Sequence, residues 1–107
     1  MTAHLCHAVG CPATVPPKMF MCRRHWFALP APIRAAIWKE YRPGQELDKT
    51  PSLRYMAVQR WAIGELLFKP NDEGAARAAA PYLLEAEAWR RKAIDAGLGD
   101  PLEGIAP

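Results

Sequence analysis

Residues 6–25 read CHAVGCPATVPPKMFMCRRH, and this stretch decides what kind of fold the chain can adopt. It holds all three cysteines of the chain, Cys6, Cys11 and Cys22, and His25 follows the last of them by three positions. The four residues form two close pairs, C-x4-C and C-x2-H, with ten residues between them. Structural zinc sites are built from four such donors, which tight turns bring together as two pairs. The pattern predicts one structural Zn²⁺ with Cys6, Cys11, Cys22 and His25 as its ligands.

The residues beside these pairs suit the turns that the site needs. Gly10 directly precedes Cys11, where a tight turn benefits from a residue without a Cβ atom. Cys22 and His25 are three positions apart, so one helical turn or knuckle places both on the same side. The Pro16-Pro17 pair disfavours helix between the two halves of the site. Residues 18–21 are expected to form a short strand that leads into Cys22.

Other interpretations of the ligand-type residues stay open. Three unrelated thiols could lie in an apolar core, since cysteine is commonly buried, but every Cys and every His falls within the first 25 residues. An iron–sulfur cluster is a further alternative. His4 and His7 compete with His25, which is preferred because it pairs with Cys22, whereas His7 beside Cys6 would form an awkward chelate. We expect His4 and His7 to be solvated.

The same pattern argues against catalysis. Four protein ligands fill the coordination sphere of zinc, whereas a catalytic zinc keeps one position for water. The H-x-E and P-C-x-x-C segments of zinc deaminases are absent, and so are H-E-x-x-H, G-x-S-x-G and the P-loop. We therefore expect a protein that is not an enzyme.

Length and composition indicate one domain. The chain has 107 residues, of which half are hydrophobic, as in ordinary globular proteins. Its start has neither the basic residues nor the apolar run of a signal peptide, and no uncharged stretch reaches the ~20 residues that a membrane helix needs. The expected compartment is a reducing cytoplasm, where cysteines serve as metal ligands or free thiols more often than as disulfides.

The helical part of the chain follows the segment that holds the predicted zinc ligands. Spacing of apolar residues predicts a helix over 32–41 and a central helix to about Phe68, with Thr50 as N-cap and Pro51 at its first position. Asn71 is the expected N-cap of a third helix, with Asp72 and Glu73 in its first turn.

Two residues bear on how the third helix continues and ends. Pro81 either kinks this helix or begins a new one. Gly97 is the expected stop. The fold class is therefore mainly α: a zinc-binding module of the knuckle or treble-clef type over 1–30, with room for a short hairpin, then three or four helices. Residues 31–97 form a helical body packed with the module as a single domain, and residues 98–107 form a flexible tail.

Several segments together resemble a known group of proteins. These are Cys22-Arg23-Arg24-His25-Trp26, Leu29-Pro30, Ile37-Trp38 and the run from Tyr41 to Gln45, combined with Cys6, Gly10-Cys11 and Val15-Pro16-Pro17. The chain is similar, over roughly residues 4–65, to small uncharacterised zinc-finger-like proteins of bacteriophages, prophages and other bacterial mobile elements. The resemblance implies a bacterial or phage setting in the host cytoplasm and supports the zinc ligands, and it implies no activity.

Charge is distributed unevenly. Residues 1–45 hold six basic residues and one acid, whereas residues 46–107 hold eight basic and ten acidic residues. Basic residues next to an aromatic ring can bind phosphates and stack on bases. Nucleic-acid binding by a regulatory or accessory protein is the first functional hypothesis, and its candidate residues are Lys18, Arg23, Arg24, Trp26, Arg34, Lys39 and Arg42. Arg34 and Lys39 do not share a helical face, and a solvated face around a buried Trp26 would explain the same pattern.

The second hypothesis is a module that binds a host bacterial protein as a regulator or counter-defence protein. Trp38, Trp61 and Trp89 would serve as anchors if exposed, although aromatic residues at helical spacing more often form a core. The stripe of Tyr82, Ala86, Trp89 and Ala93 could also mediate formation of a homodimer through the C-terminal helices.

Overall fold

A computed structural model describes residues 3–45 and 51–106. In this part of the chain, two short strands form an antiparallel hairpin, β1 (His4–Leu5) and β2 (Thr14–Val15), in which His4 lies opposite Val15. Four helices follow: α1 (Arg23–Ala28), α2 (Ala31–Glu40), α3 (Leu53–Leu67) and α4 (Glu73–Asp95). The predicted fold class, a mainly α chain with a short N-terminal hairpin, is confirmed. The prediction of a strand at 18–21 is wrong, because these residues form turns and bends between β2 and α1.

Helix α2 has nearly the predicted bounds, and its packing explains why. Pro30 is its N-cap and Pro32 lies in its first turn, where a missing N–H costs no hydrogen bond. Ile33 and Ile37, four residues apart, are the buried residues of the helix.

The start of α3 differs from the prediction. Its N-cap is Ser52, whose hydroxyl accepts a hydrogen bond from the backbone N–H of Tyr55 at 3.0 Å. Thr50, the expected N-cap, lies outside the described residues. Ser, like Thr, satisfies an N–H group of the first turn, so the helix begins two residues later than predicted.

Helix α4 continues through Pro81, and its N-cap is Asp72 instead of Asn71. The Asp72 carboxylate accepts a hydrogen bond from the N–H of Ala75 at 3.0 Å. Pro81 lies on the exposed side of the helix, where water can reach the carbonyl that loses its partner. Gly97, with φ of +77°, ends α4 as predicted.

The most extensive contact between elements joins α3 and α4. Ala79, Ala86 and Ala93 recur every seven residues along α4 and are fully buried. Tyr82 and Trp89 pack partly buried against the same core. Most of the stripe that could have served a homodimer is therefore used within the chain.

The core joins the N-terminal segment to the helices. Met21 and Leu29 from the segment around α1 and Val58 from α3 are among the largest fully buried side chains. Leu102, near the C-terminus, belongs to the same set, so residues 98–106 pack on the body through this side chain, in contrast to the flexible tail expected from residue 98 onwards.

Candidate metal centre and basic surface

The hairpin positions the first pair of cysteines. Cys6 directly follows β1, and its backbone N–H donates to the carbonyl of Ala13 at 2.8 Å. The N–H of Cys11 donates to the carbonyl of Ala8 at 3.1 Å and closes a four-residue turn. Gly10 occupies the third position of this turn with φ of +80°, a conformation that glycine adopts without steric cost. The turn brings Cys11 back towards Cys6.

Helix α1 positions the second pair. Cys22 is its N-cap residue and His25 lies in its first turn. This single helical turn holds the Nδ1 atom of His25 at 3.2 Å from the Sγ atom of Cys22. The C-x2-H spacing thus places both donors on one side, as the sequence predicted.

The two pairs converge. The candidate ligand atoms of Cys6, Cys11, Cys22 and His25 all lie within 4.8 Å of one another. The Sγ of Cys6 is 3.6 Å from Nδ1 of His25, and the Sγ atoms of Cys11 and Cys22 are 4.0 Å apart. A tetrahedral ion with bonds of about 2.3 Å to sulfur and about 2.0 Å to nitrogen requires separations of about 3.5–3.8 Å. The four residues could therefore hold a metal ion.

The acidity of two of the thiols differs with their surroundings. The pKa of Cys22 is lowered to about 7, chiefly because the backbone N–H of His25 donates a hydrogen bond to its sulfur and stabilises the thiolate. The pKa of Cys6 is raised, chiefly because the side chain is buried. Cys22 thus supplies the deprotonated sulfur that a metal requires more readily than Cys6 does.

His4 and His7 are not part of this cluster. The two ring nitrogens of His4 lie at hydrogen-bond distance from backbone carbonyls, 2.8 Å from that of Leu5 and 3.2 Å from that of Pro17. The ring of His7 stacks on Phe20 with 4.9 Å between centroids. The expectation that both are solvated is therefore incomplete, since His4 makes backbone contacts and His7 an aromatic one.

Beyond the metal centre, α1 and α2 meet at an exposed aromatic ring. Phe27 is 58% exposed, and the guanidinium carbons of Arg23 and Arg34 lie 5.7 and 5.1 Å from its centroid. The Nε–H of Arg34 also donates to the carbonyl of Leu29 at 3.2 Å, which fixes the direction of this side chain. Two of the predicted basic residues are thereby brought to one ring.

A second aromatic group lies beside the first. Trp26 and Trp38 meet edge to face with 6.0 Å between centroids, and Trp38 and Tyr41 do so at 5.7 Å. Trp38 is 47% exposed. Lys18 lines the small crevice formed at these rings, so a third predicted basic residue belongs to the same part of the surface.

The remaining candidate residues are placed elsewhere or less definitely. Lys39 lines an open groove of about 420 Å³ between α2 and the C-terminal segment, together with acidic residues that include Asp100 and Glu103. Arg24 and Arg42 are exposed, and the backbone N–H of Arg42 donates to the side chain of Gln45 at 3.0 Å. The structure therefore groups Arg23 and Arg34 around Phe27, and Lys18 with Trp26, but separates Lys39 from them.

Sequence reasoning missed Phe27 as a surface residue. The available signal was its spacing, because Arg23 and Phe27 are four apart and share a face of any helix. The contribution of Arg34 comes from the next helix and could not be found in this way.

The fold and the cluster together define a class: a small, mainly helical protein with an N-terminal Cys₃His cluster that could hold a metal ion. Comparisons with models of protein families, with curated proteins and with solved structures find no match for this chain. Over 3–45 and 51–106, no helix combines the length and apolar character needed to cross a bilayer.

Proposed function

We propose that this protein binds nucleic acid through the basic surface of α1 and α2, and that one structural Zn²⁺ held by the Cys₃His cluster maintains this surface. Three thiols and an imidazole form an established ligand set for structural zinc. The ligands lie in the hairpin and in the first turn of α1, so the ion would tie the helix that carries Arg23 and Phe27 to the rest of the N-terminal segment. The same proposal places the protein in the cytoplasm of a bacterial host cell, in a bacterial or phage setting.

The observation that carries the proposal is the arrangement of Arg23 and Arg34 around the exposed ring of Phe27. A guanidinium over an aromatic ring is held in place by cation–π attraction while its N–H groups remain directed outwards. Each of these two groups can bind a phosphate of a nucleic-acid backbone.

The charge of this half of the molecule supports the same partner. Glu40 is the one acidic residue among residues 1–45, and its carboxylate forms a 2.8 Å ion pair with Arg54. Three thiolates and one Zn²⁺ together add only a single negative charge. Residues 1–45 therefore keep a net positive charge, which would attract phosphates.

The experiment compares two double variants of equal charge. Fluorescence anisotropy measures the affinity of the metal-loaded protein for a labelled oligonucleotide between about 50 and 200 mM salt. Replacing Arg23 and Arg34 by Ala should weaken binding on the order of tenfold at the lower salt and reduce the slope of log affinity against log salt by about one to two. The control variant replaces Arg77 and Arg91, two exposed arginines of α4, by Ala. It should bind the oligonucleotide like the wild type.

Two results would count against nucleic-acid binding. One is the absence of measurable binding to DNA or RNA even at low salt. The other is an equal loss of affinity in both double variants, which would indicate a response to net charge without a defined surface.

A protein partner is the second candidate function, and the exposure of Trp38 favours it. A large ring that is half exposed and flanked by Trp26 and Tyr41 resembles the aromatic anchors of protein interfaces. Such a complex would change little with salt and would survive nuclease treatment. Recovery of one specific protein from nuclease-treated bacterial lysate, lost in Trp38→Ala, would favour this function.

A further inference from the structure

Two aromatic rings remain accessible on the surface formed by α1 and α2. Phe27 is 58% exposed and Trp38 is 47% exposed. Exposure of a ring of this size to water is unfavourable, because its apolar surface is left unburied. Both rings lie among cationic groups, which distinguishes them from isolated exposed apolar residues.

The two rings are linked through Arg34 on α2. Trp26 touches Trp38 edge to face at 6.0 Å. Arg34, whose guanidinium lies over Phe27, is four residues before Trp38 on α2, so both project from the same face of this helix. We call the set Phe27, Arg34, Trp26 and Trp38 the aromatic strip.

Cationic groups border the aromatic strip at both ends. Arg23 lies over the ring of Phe27, and Lys18 lines the crevice beside Trp26 and Trp38. Each ring therefore lies beside positive charge. Phosphates and flat bases likewise lie beside one another along a nucleic acid.

We infer that the aromatic strip takes single-stranded nucleic acid in preference to a duplex, an inference that rests on the proposed nucleic-acid binding. In a duplex the faces of the bases are stacked on one another and only their edges reach the grooves. A single strand can turn its bases outward, so that they stack on aromatic rings or on guanidinium planes. Phe27, Trp38 and Arg34 offer such flat surfaces, whereas a purely phosphate-binding surface would need none.

The test uses three labelled probes of about 20 nucleotides, longer than the ~4–16 nucleotides of a typical binding site. They are a mixed-sequence single strand, its duplex, and an abasic strand that keeps every phosphate but has no bases. DNA and RNA versions of the single strand show which of the two nucleic acids the protein binds more tightly. The metal-loaded wild-type protein should bind the single strand at least on the order of tenfold more tightly than the duplex or the abasic strand.

Variants assign this preference to the rings. Replacing Phe27 and Trp38 together by Leu should lower the affinity for the single strand far more than the affinity for the abasic strand, so that the two affinities converge. A smaller loss on the abasic strand is expected, because Phe27 also holds the guanidinium groups of Arg23 and Arg34. Phe68→Leu is the matched control, because Phe68 is 45% exposed at the end of α3, outside the strip. It should retain the wild-type preference.

The outcomes separate the inference from the proposed function. If the wild type binds none of the probes, both fail. Equal wild-type affinity for all three probes, or tighter binding to the duplex, overturns single-strand selection while nucleic-acid binding stands. An equal loss on the base-bearing and the abasic strand in the double variant also overturns stacking. If the double substitution impairs folding, the affinities of the wild-type protein for the three probes still decide whether the surface prefers a single strand.

Discussion

Cys22 is the residue at which the metal centre and the helical body meet. Its sulfur lies 3.2 Å from Nδ1 of His25 and 4.0 Å from the sulfur of Cys11. Its carbonyl accepts a hydrogen bond from the N–H of Trp26 at 2.9 Å, the first backbone bond of α1. A change at this position therefore affects ion binding and, through the ion, the placement of α1.

We expect Cys22→Ser to abolish stoichiometric metal binding and to destabilise the N-terminal segment, because a hydroxyl does not replace a thiolate as a soft ligand and metal binding here is coupled to folding. Native mass spectrometry of protein from bacteria should show one bound ion for the wild type and none for the variant. His4→Ala is the control and should keep the ion, since His4 is engaged with backbone carbonyls. Full metal content in Cys22→Ser would show that the ligand assignment is wrong.

At this scale the sequence predicted the cluster but not the surface beside it. Both halves of the cluster are local, a turn around Gly10 and one turn of helix from Cys22, so spacing alone sufficed to pair the residues. The contact of Arg34 with Phe27 joins two helices whose relative direction is set by packing. That direction depends on the buried contacts of Leu29 and Ile33, which spacing does not reveal.

Gly64 shows how closely two elements, α3 and α4, approach. A Cβ atom at this position would lie 2.5 Å from Cδ2 and 2.8 Å from Cγ of Leu83, well inside van der Waals contact. Glycine in a helix costs about 1 kcal/mol relative to alanine. Its presence in the middle of α3 is explained by the space that Leu83 takes.

We expect Gly64→Ala to lower the free energy of unfolding by about 1 kcal/mol, because overpacking of about 2 kcal/mol exceeds the gain of about 1 kcal/mol in helix propensity. Urea unfolding followed by circular dichroism measures the difference. Gly74→Ala is the matched control in the exposed first turn of α4, where the nearest atom would be 3.4 Å away, and it should be neutral or stabilising. A stabilising effect of the same size in both variants would disprove the close approach.

The bounds of the elements were predicted as far as local rules decide them. Helix α2 and the stop at Gly97 follow from proline and glycine preferences. The start of α3 was misplaced because Thr50 and Ser52 both have N-cap chemistry. The sequence could not predict that α4 continues through Pro81, since this depends on the packing of Ala79 and Ala86, which are buried on either side of the proline.

At the scale of the whole molecule, the segment after α4 closes the fold. Leu102 is fully buried, and Arg54 of α3 binds both Glu40 of α2, at 2.8 Å, and the carbonyl of Leu98, at 2.7 Å. Glycine and proline content predicted a fraying tail because composition describes backbone freedom and not distant partners. The buried side chain of Leu102 and the hydrogen bond from Arg54 to Leu98 are two of the contacts that hold the segment in place.

The ion pair of Asp100 with Arg90 makes this closure sensitive to acid. Partial burial alone would raise the pKa of Asp100, but hydrogen bonds from Arg90 and from the N–H of Leu102, with the positive charges of Arg90 and Arg54, outweigh it and lower the pKa below its ordinary value. The Arg90–Asp100 distance is 2.6 Å. A group whose pKa is lower in the folded state stabilises that state above its unfolded pKa of about 3.9, and this contribution disappears as pH falls towards the folded value.

We expect Asp100→Asn to lower the free energy of unfolding by about 1 kcal/mol at about pH 6, where the carboxylate is charged. The difference from the wild type should shrink at about pH 3, because protonation of Asp100 removes the same charge. Protonation of the thiols and His25 weakens metal binding in both proteins over this range, so the quantity to measure is the variant-minus-wild-type difference in urea unfolding at each pH. Glu103→Gln removes a charge from the same segment without breaking an ion pair within the described residues, and its difference should stay near zero. A difference for Asp100→Asn that does not change with pH would mean that the ionised carboxylate does not help to hold the C-terminal segment against the body.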